Sequence, residues 1–196
     1  MPEETKCLVD LILKLLAMVG AVVAFIHTMQ QWSTSQRWKR MEKLDDLIAY
    51  FERDSMLRVA RMSLDWTRRT IKHDGRELTI TNSDALLALR DHRGLPENFR
   101  FEGEQPIIRD GYDAFVSFMV RVEIALTGGL IDRDPTRAYF YYWVERFVTM
   151  DRHLDDGGKL LDGHRPRDLA LGYIDVYGDR QSMKRLCDSM GLPFCG

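Results

Sequence analysis

The stretch that most limits what this chain can become runs from Leu11 to Trp32, LILKLLAMVGAVVAFIHTMQQW. No ionised side chain occurs between Leu15 and Gln36. At about 1.5 Å of rise per residue, a helix from Leu11 to Trp32 is roughly 33 Å long, the thickness of a bilayer's hydrocarbon core. These properties predict one membrane-spanning helix over residues 11–32. Asp10 and Lys14 stand one turn apart near its start and share a helix face, where they can pair, and Lys14 can extend its ammonium toward the headgroups. A lysine at mid-membrane costs about 3 kcal/mol on insertion scales, and one near the end costs far less. His27 is expected to be neutral, near the far interface. Gly20, in AMVGAVVA, has no second glycine at helix-pairing spacing, so it reads as lipid-facing filler rather than as an association surface.

The flanks orient the span. Arg37, Lys39, Arg40 and Lys43 come after it, whereas only Lys6 stands among Glu3, Glu4 and Asp10 before it. The positive-inside rule then places the large C-terminal part in the cytoplasm and leaves residues 1–10 as a short tail outside. Trp32 and Trp38 suit the interfacial belt, so Lys14, Trp32, Arg37, Trp38, Lys39 and Arg40 are the expected membrane-interface residues. A cleaved signal peptide would need a basic start and a small-x-small cleavage site; here the start is acidic and IHTMQQW supplies no such site. The competing reading, a buried helix of a soluble protein, requires the rest of the chain to cover this stretch.

With 196 residues and about 30 of them in tail and span, roughly 160 remain, enough for one core of ordinary size over residues 33–196. A net charge of -2 argues against a general nucleic-acid binder. Of the cysteines, Cys7 lies at the outer end of the span, and Cys187 and Cys195 near the C-terminus are expected to be free thiols in a reducing cytosol. No CxxC pair suggests zinc. No cofactor is expected.

Beyond the span the hydrophobic period is helical. Trp38, Met41, Leu44, Leu47, Ile48 and Phe51 recur at three- and four-residue steps, and Met56, Val59, Ala60, Leu64 and Ile71 continue on a shifted face. The phase change falls near Asp54 and Ser55, so residues 36–72 are expected to be one long helix or two meeting there, ended by His73, Asp74 and Gly75 as a C-cap. Glu77–Thr81 reads as a short extended piece, and Asn82 or Ser83 as the cap of a helix reaching Asp91. A loop then runs up to Pro106, with Phe99 and Phe101 pinning it to the core. Tyr112 to Leu126 is the densest apolar stretch and should form the central helix, stopped by Gly128 and Gly129. Asp134 before Pro135 predicts the cap of an aromatic helix running through Leu154. One or two short helices close the chain. The expected architecture is all-α: an N-terminal transmembrane helix and a cytoplasmic bundle of about five or six helices.

Few residues carry candidate chemistry. Glu123 lies within the most apolar helix and must reach a partner or be neutral; a structural ion pair is the expected answer. The aromatic run Tyr139 to Trp143 with Phe147 reads as interhelical packing. Asp151, His153, Asp155 and Asp156 form a dense acidic cluster, without the alternating acids and final glutamate of a calcium loop. If the domain were a membrane-tethered metal-dependent hydrolase, Asp151, His153 and Asp155, together with Glu123 or His164, would have to converge around a metal. A pore built from the span would be lined only by Lys14, His27 and Thr28.

The order of parts resembles an uncharacterised family of bacterial membrane-anchored helical proteins. The resemblance rests on the span, the basic helix QRWKRMEKLDDLIAYFERD, and the helix with its glycine and acidic turn, VRVEIALTGGLIDRD. The aromatic helix AYFYYWVERFVTM and a closing segment with a tyrosine near an acid, Gly172 to Tyr177, complete it. It implies an all-α cytoplasmic domain anchored in the bacterial inner membrane and brings no catalytic residues. The expected function is therefore non-enzymatic, a sensor or effector working through a lipid bilayer and a protein partner or homo-oligomer, with no nucleic acid.

Overall fold

The computed structural model describes residues 3–65, 68–91, 93, 100–150 and 165–194, with side chains from Lys14 onward. Two compact units divide the chain, Met1–Glu42 and Lys43–Gly196. Helix α1 (Glu3–Arg53) supplies the first and gives its last turns to the second. From Leu15 to Trp38 its large apolar side chains are exposed. It is long and apolar enough to cross a membrane, and none of its most apolar window is buried inside the protein.

In the second unit, Leu44 and Phe51 are the first fully buried residues. Helix α1 stops at Asp54, whose backbone N–H still donates to Tyr50 O at 3.0 Å. Its Oδ1 accepts from the N–H groups of Met56 and Leu57, both at 2.9 Å, and so caps helix α2 (Ser55–Asp65). The change of hydrophobic phase is thus a break into two helices.

The expected helix over residues 36–72 is corrected at its far end. Arg68–His73 is strand β1, paired antiparallel with β2 (Arg76–Thr81). Ile71, His73, Leu78 and Ile80 are buried, and Thr70 and Thr79 meet across the other face with hydroxyls 3.0 Å apart. Asp74 and Gly75 take φ of 47° and 79°, the two positive values that a two-residue hairpin twisted to match its strands requires. His73, Asp74 and Gly75 therefore turn a hairpin and do not end a helix. Period-two alternation outweighs the helical continuation because only Ile71 among the last residues of that run fits the helical face.

Helix α3 (Asn82–Leu87) is capped one residue earlier than expected, by Thr81, whose Oγ1 accepts from Asp84 N at 3.2 Å, and it ends short of Asp91. Helix α4 (Gln105–Thr127) is the centre of the unit, packed against α2, α3, α5 (Arg133–Thr149) and α7 (Arg180–Met190). Pro106 sits in its first turn and Gly128 caps its end. Gly111 permits the close pass of α2: a Cβ there would lie 3.1 Å from Ala60 N and 3.2 Å from Met56 O.

The expected cap of α5 is also corrected. Asp132, not Asp134, holds the N-cap position, and its carbonyl accepts from the Thr136 N–H and hydroxyl. Pro135 then falls in the first turn, where a missing N–H costs nothing. The helix stops at Thr149, before Met150 at φ 34°; residues 151–154 of the expected helix lie outside the described residues. Two helices close the chain, α6 (Pro166–Tyr177) and α7. Asp179 caps α7 by accepting from Gln181 N and Ser182 N. The protein is mostly helical, with six helices after α1 and one hairpin among the described residues.

Candidate functional site

Two regions have the features of a site: the uncovered helix of the first unit, and the polar centres of the second. On α1, Lys14, Trp32, Arg37, Trp38 and Lys39 are exposed and Arg40 is half-buried. Trp38 is 71% exposed, an arrangement water does not favour for so large a ring. Thr28 and Thr34 donate back to the Ala24 and Gln30 carbonyls at 2.9 and 3.0 Å, so their hydroxyls are satisfied inside the helix.

Glu123 sits on α4 with its side chain 3% exposed. Arg185 of α7 donates to it twice, Nε to Oε1 at 2.6 Å and Nη2 to Oε2 at 3.3 Å, and Thr127 Oγ1 donates at 2.8 Å. The Arg185 hydrogen bonds, against an opposing desolvation, hold the carboxyl below the ordinary glutamate range. Arg185 also bonds Ser182 Oγ at 2.8 Å, so the pair has a fixed geometry and is not a group poised for proton transfer. It borders an open cleft of about 480 Å³ that also takes in Arg133 and Asp188. Arg133 Nε is committed to the Ser189 carbonyl at the end of α7.

Of the residues a metal-dependent hydrolase would need, only Glu123 is described, and Arg185 and Thr127 occupy its oxygens. Asp151, His153, Asp155, Asp156 and His164 lie outside the described residues. Among the described residues no group of three or more His, Cys, Asp or Glu converges as a metal set.

The aromatic run of α5 packs between helices. Phe51 is its hub, fully buried, with ring centroids 5.2 Å from Phe118, 5.4 Å from Phe140 and 6.0 Å from Trp143. Arg61 lies over the Phe51 ring at 5.0 Å and the Trp143 ring at 5.9 Å, and Nη2 donates to Glu52 O at 3.0 Å. Burial lowers its pKa. Tyr139 donates to Glu52 and Tyr142 to Asp65; burial and the Glu52 carboxylate push the Tyr139 phenol up to about 12.

One polar centre lies outside the residues marked by sequence. Arg109, 8% exposed, donates Nη1 to the carbonyls of Ala88 and Arg90 at 2.9 and 2.8 Å. Its guanidinium lies 4.3 Å from the Tyr177 ring, 5.0 Å from Phe101 and 5.1 Å from Tyr173. This joins α4, α6 and the turn after α3. The available signal is its position on the buried stripe with Ile108, Tyr112 and Phe115, where a cation must find carbonyls or rings.

Together these features define a mostly helical protein with one long, apolar, uncovered N-terminal helix. Comparison with protein-family models, curated proteins and solved structures gives no match to this chain.

Proposed function

We propose that the chain is a single-pass membrane protein of the bacterial inner membrane, anchored by Leu11–Trp32, whose helical part works in the cytoplasm by protein–protein contact or self-association rather than by catalysis. The observation that carries this is the exposure of the apolar residues Leu15–Trp32 in a chain whose second unit builds its own core without them. Lipid is the solvent that removes the cost of such a surface. Arg37, Lys39, Arg40 and Lys43 favour the cytoplasmic side for residues 43–196. The polar centres support the non-catalytic half of the reading: Glu123 and Arg109 are each consumed in holding helices together. A role as sensor or effector rests on the resemblance to bacterial anchored helical proteins.

The test is protease digestion of intact spheroplasts and of inverted membrane vesicles containing the full chain, combined with chemical cross-linking. The expected result is digestion of residues 43–196 only in inverted vesicles, with a discrete cross-linked species. Digestion in spheroplasts would contradict the orientation, and a strictly monomeric protein at every cross-linker dose would contradict the association.

A further inference from the structure

We propose that β1 takes up an acidic extended segment of a partner protein as a third strand, along its outer edge at Arg68, Thr70 and Lys72. The inference deepens the protein-contact reading and rests on it. In an antiparallel pair, residues alternate between exchanging both backbone hydrogen bonds with the partner strand and turning both groups away from it. The two-residue turn at Asp74 and Gly75 makes His73 and Arg76 an exchanging pair, and Ile71 with Leu78 and Arg69 with Ile80 follow in register. Thr70 with Thr79 is then a non-exchanging pair, the kind that brings side chains closer, and their hydroxyls lie 3.0 Å apart. Arg68, Thr70 and Lys72 therefore aim their N–H and C=O groups away from β2.

That edge is open. Among the described residues the sheet has two strands only. Helices α2 and α3 pack against β2, whereas Arg68, Arg69, Thr70 and Lys72 of β1 are exposed. No described residue outside the hairpin hydrogen-bonds Arg68, Thr70 or Lys72. A strand edge left in this way is a template for another extended chain.

Charge and hydrogen-bonding chemistry select the occupant. Between Arg68 and Thr81, four cations, Arg68, Arg69, Lys72 and Arg76, stand against two acids, Asp74 and Glu77, in a chain whose net charge is -2. Strand β1 itself carries no acid. A second copy pairing through Thr70 would set Arg68 against Lys72 in one direction and against Arg68 in the other, and like charges directly opposite are destabilising. Acidic side chains on alternate residues of an incoming strand meet these cations favourably instead. The edge presents a donor and an acceptor together at every second residue, about 6.8 Å apart, which is the complement of a peptide backbone. A phosphate surface supplies acceptors only and leaves the carbonyls unmet.

The probe is a fluorescein-labelled octapeptide of alternating glutamate and valine, titrated by anisotropy onto the full chain in non-ionic detergent. Saturable binding is expected, and N-methylation of alternate peptide amides, at unchanged charge, is expected to weaken it at least about tenfold. Thr70→Pro should weaken it by a similar factor, since it removes an outward N–H and leaves the bonds exchanged within the hairpin. Arg68→Glu with Lys72→Glu should turn the preference toward the corresponding peptide of lysine and valine. No saturable binding overturns the proposal, and so does equal binding of the N-methylated peptide, which would assign the attraction to charge alone. Cross-linking of the unaltered chain in native membranes keeps the two readings apart. If the peptide fails to bind, a discrete cross-linked species means that the strand edge alone is overturned, and a strictly monomeric chain means that protein contact falls with it.

Discussion

Arg185 Nε donates to Glu123 Oε1 at 2.6 Å, tying the last described helix of the chain to the C-terminal turns of its central one. The carboxylate is nearly inaccessible and the guanidinium is half exposed, so the arginine keeps water on one side while it compensates a charge held off solvent on the other. Because Glu123 has a folded-state pKa below its ordinary value of 4.5, its contribution is complete above that value and is lost as pH falls below it. Arg185→Met should therefore lower the melting temperature of detergent-solubilised protein at pH 7 by more than it does in acid, at a pH below the lowered folded-state pKa. The double variant Glu123→Leu, Arg185→Met should melt above Arg185→Met alone, since it removes the stranded charge. Equal losses at both pH values would show that the pair acts through packing only.

Gly111 and Gly172 are both glycines inside helices, with opposite expectations. The Cβ of Gly111→Ala would press on the backbone of α2 at Ala60 N and Met56 O, which has no rotamer to move aside, so the substitution should cost about 1–3 kcal/mol in urea denaturation. At Gly172 a Cβ meets nothing within 4 Å, and Gly172→Ala should stabilise by about 0.5–1 kcal/mol.

Asp54 separates α1 from α2 by accepting from two backbone N–H groups. Asp54→Ala should destabilise by about 1 kcal/mol, and Asp54→Asn, which keeps an acceptor oxygen, by much less. Urea midpoints of the two variants decide it; equal losses would assign the break to something other than the cap.

Cys187 is fully buried and its thiol is pushed up to about 12 by burial, with a smaller contribution from Asp188. Since the thiolate is the reacting species, alkylation at pH 8 and peptide mass spectrometry should find Cys187 unmodified in folded protein and fully labelled in denaturant.

Much of this fold is legible in the sequence, and its exceptions have physical reasons. The break at Asp54 shows as a change in the buried face, the stop of α4 as a pair of glycines, and the need of Glu123 for a partner as a carboxylate in apolar company. Which arginine answers it is not legible, because Arg185 lies on a separate helix and local periodicity carries no information about that pairing. The hairpin is hidden because Ile71 fits a helical stripe as well as an alternating one. The better signal is Asp74–Gly75 between two runs with alternating inward residues, a tight-hairpin pattern. At α5 the Asp134–Pro135 pair suggests a start that Asp132 takes instead, since proline is tolerated anywhere in a first turn whose N–H groups lack partners. Arg109 is hard to foresee because the carbonyls and rings around it come from α6, the turn after α3 and the residues before α4.

Alkaline carbonate extraction of membranes from cells expressing the full chain tests most directly whether lipid is the solvent of Leu11–Trp32. The protein is expected to stay in the membrane pellet at a pH of about 11 and to be released only by detergent, and Val19→Asp with Val22→Asp should move it to the supernatant. Recovery of the unaltered chain in the supernatant as a detergent-free, monodisperse species would contradict the membrane anchor.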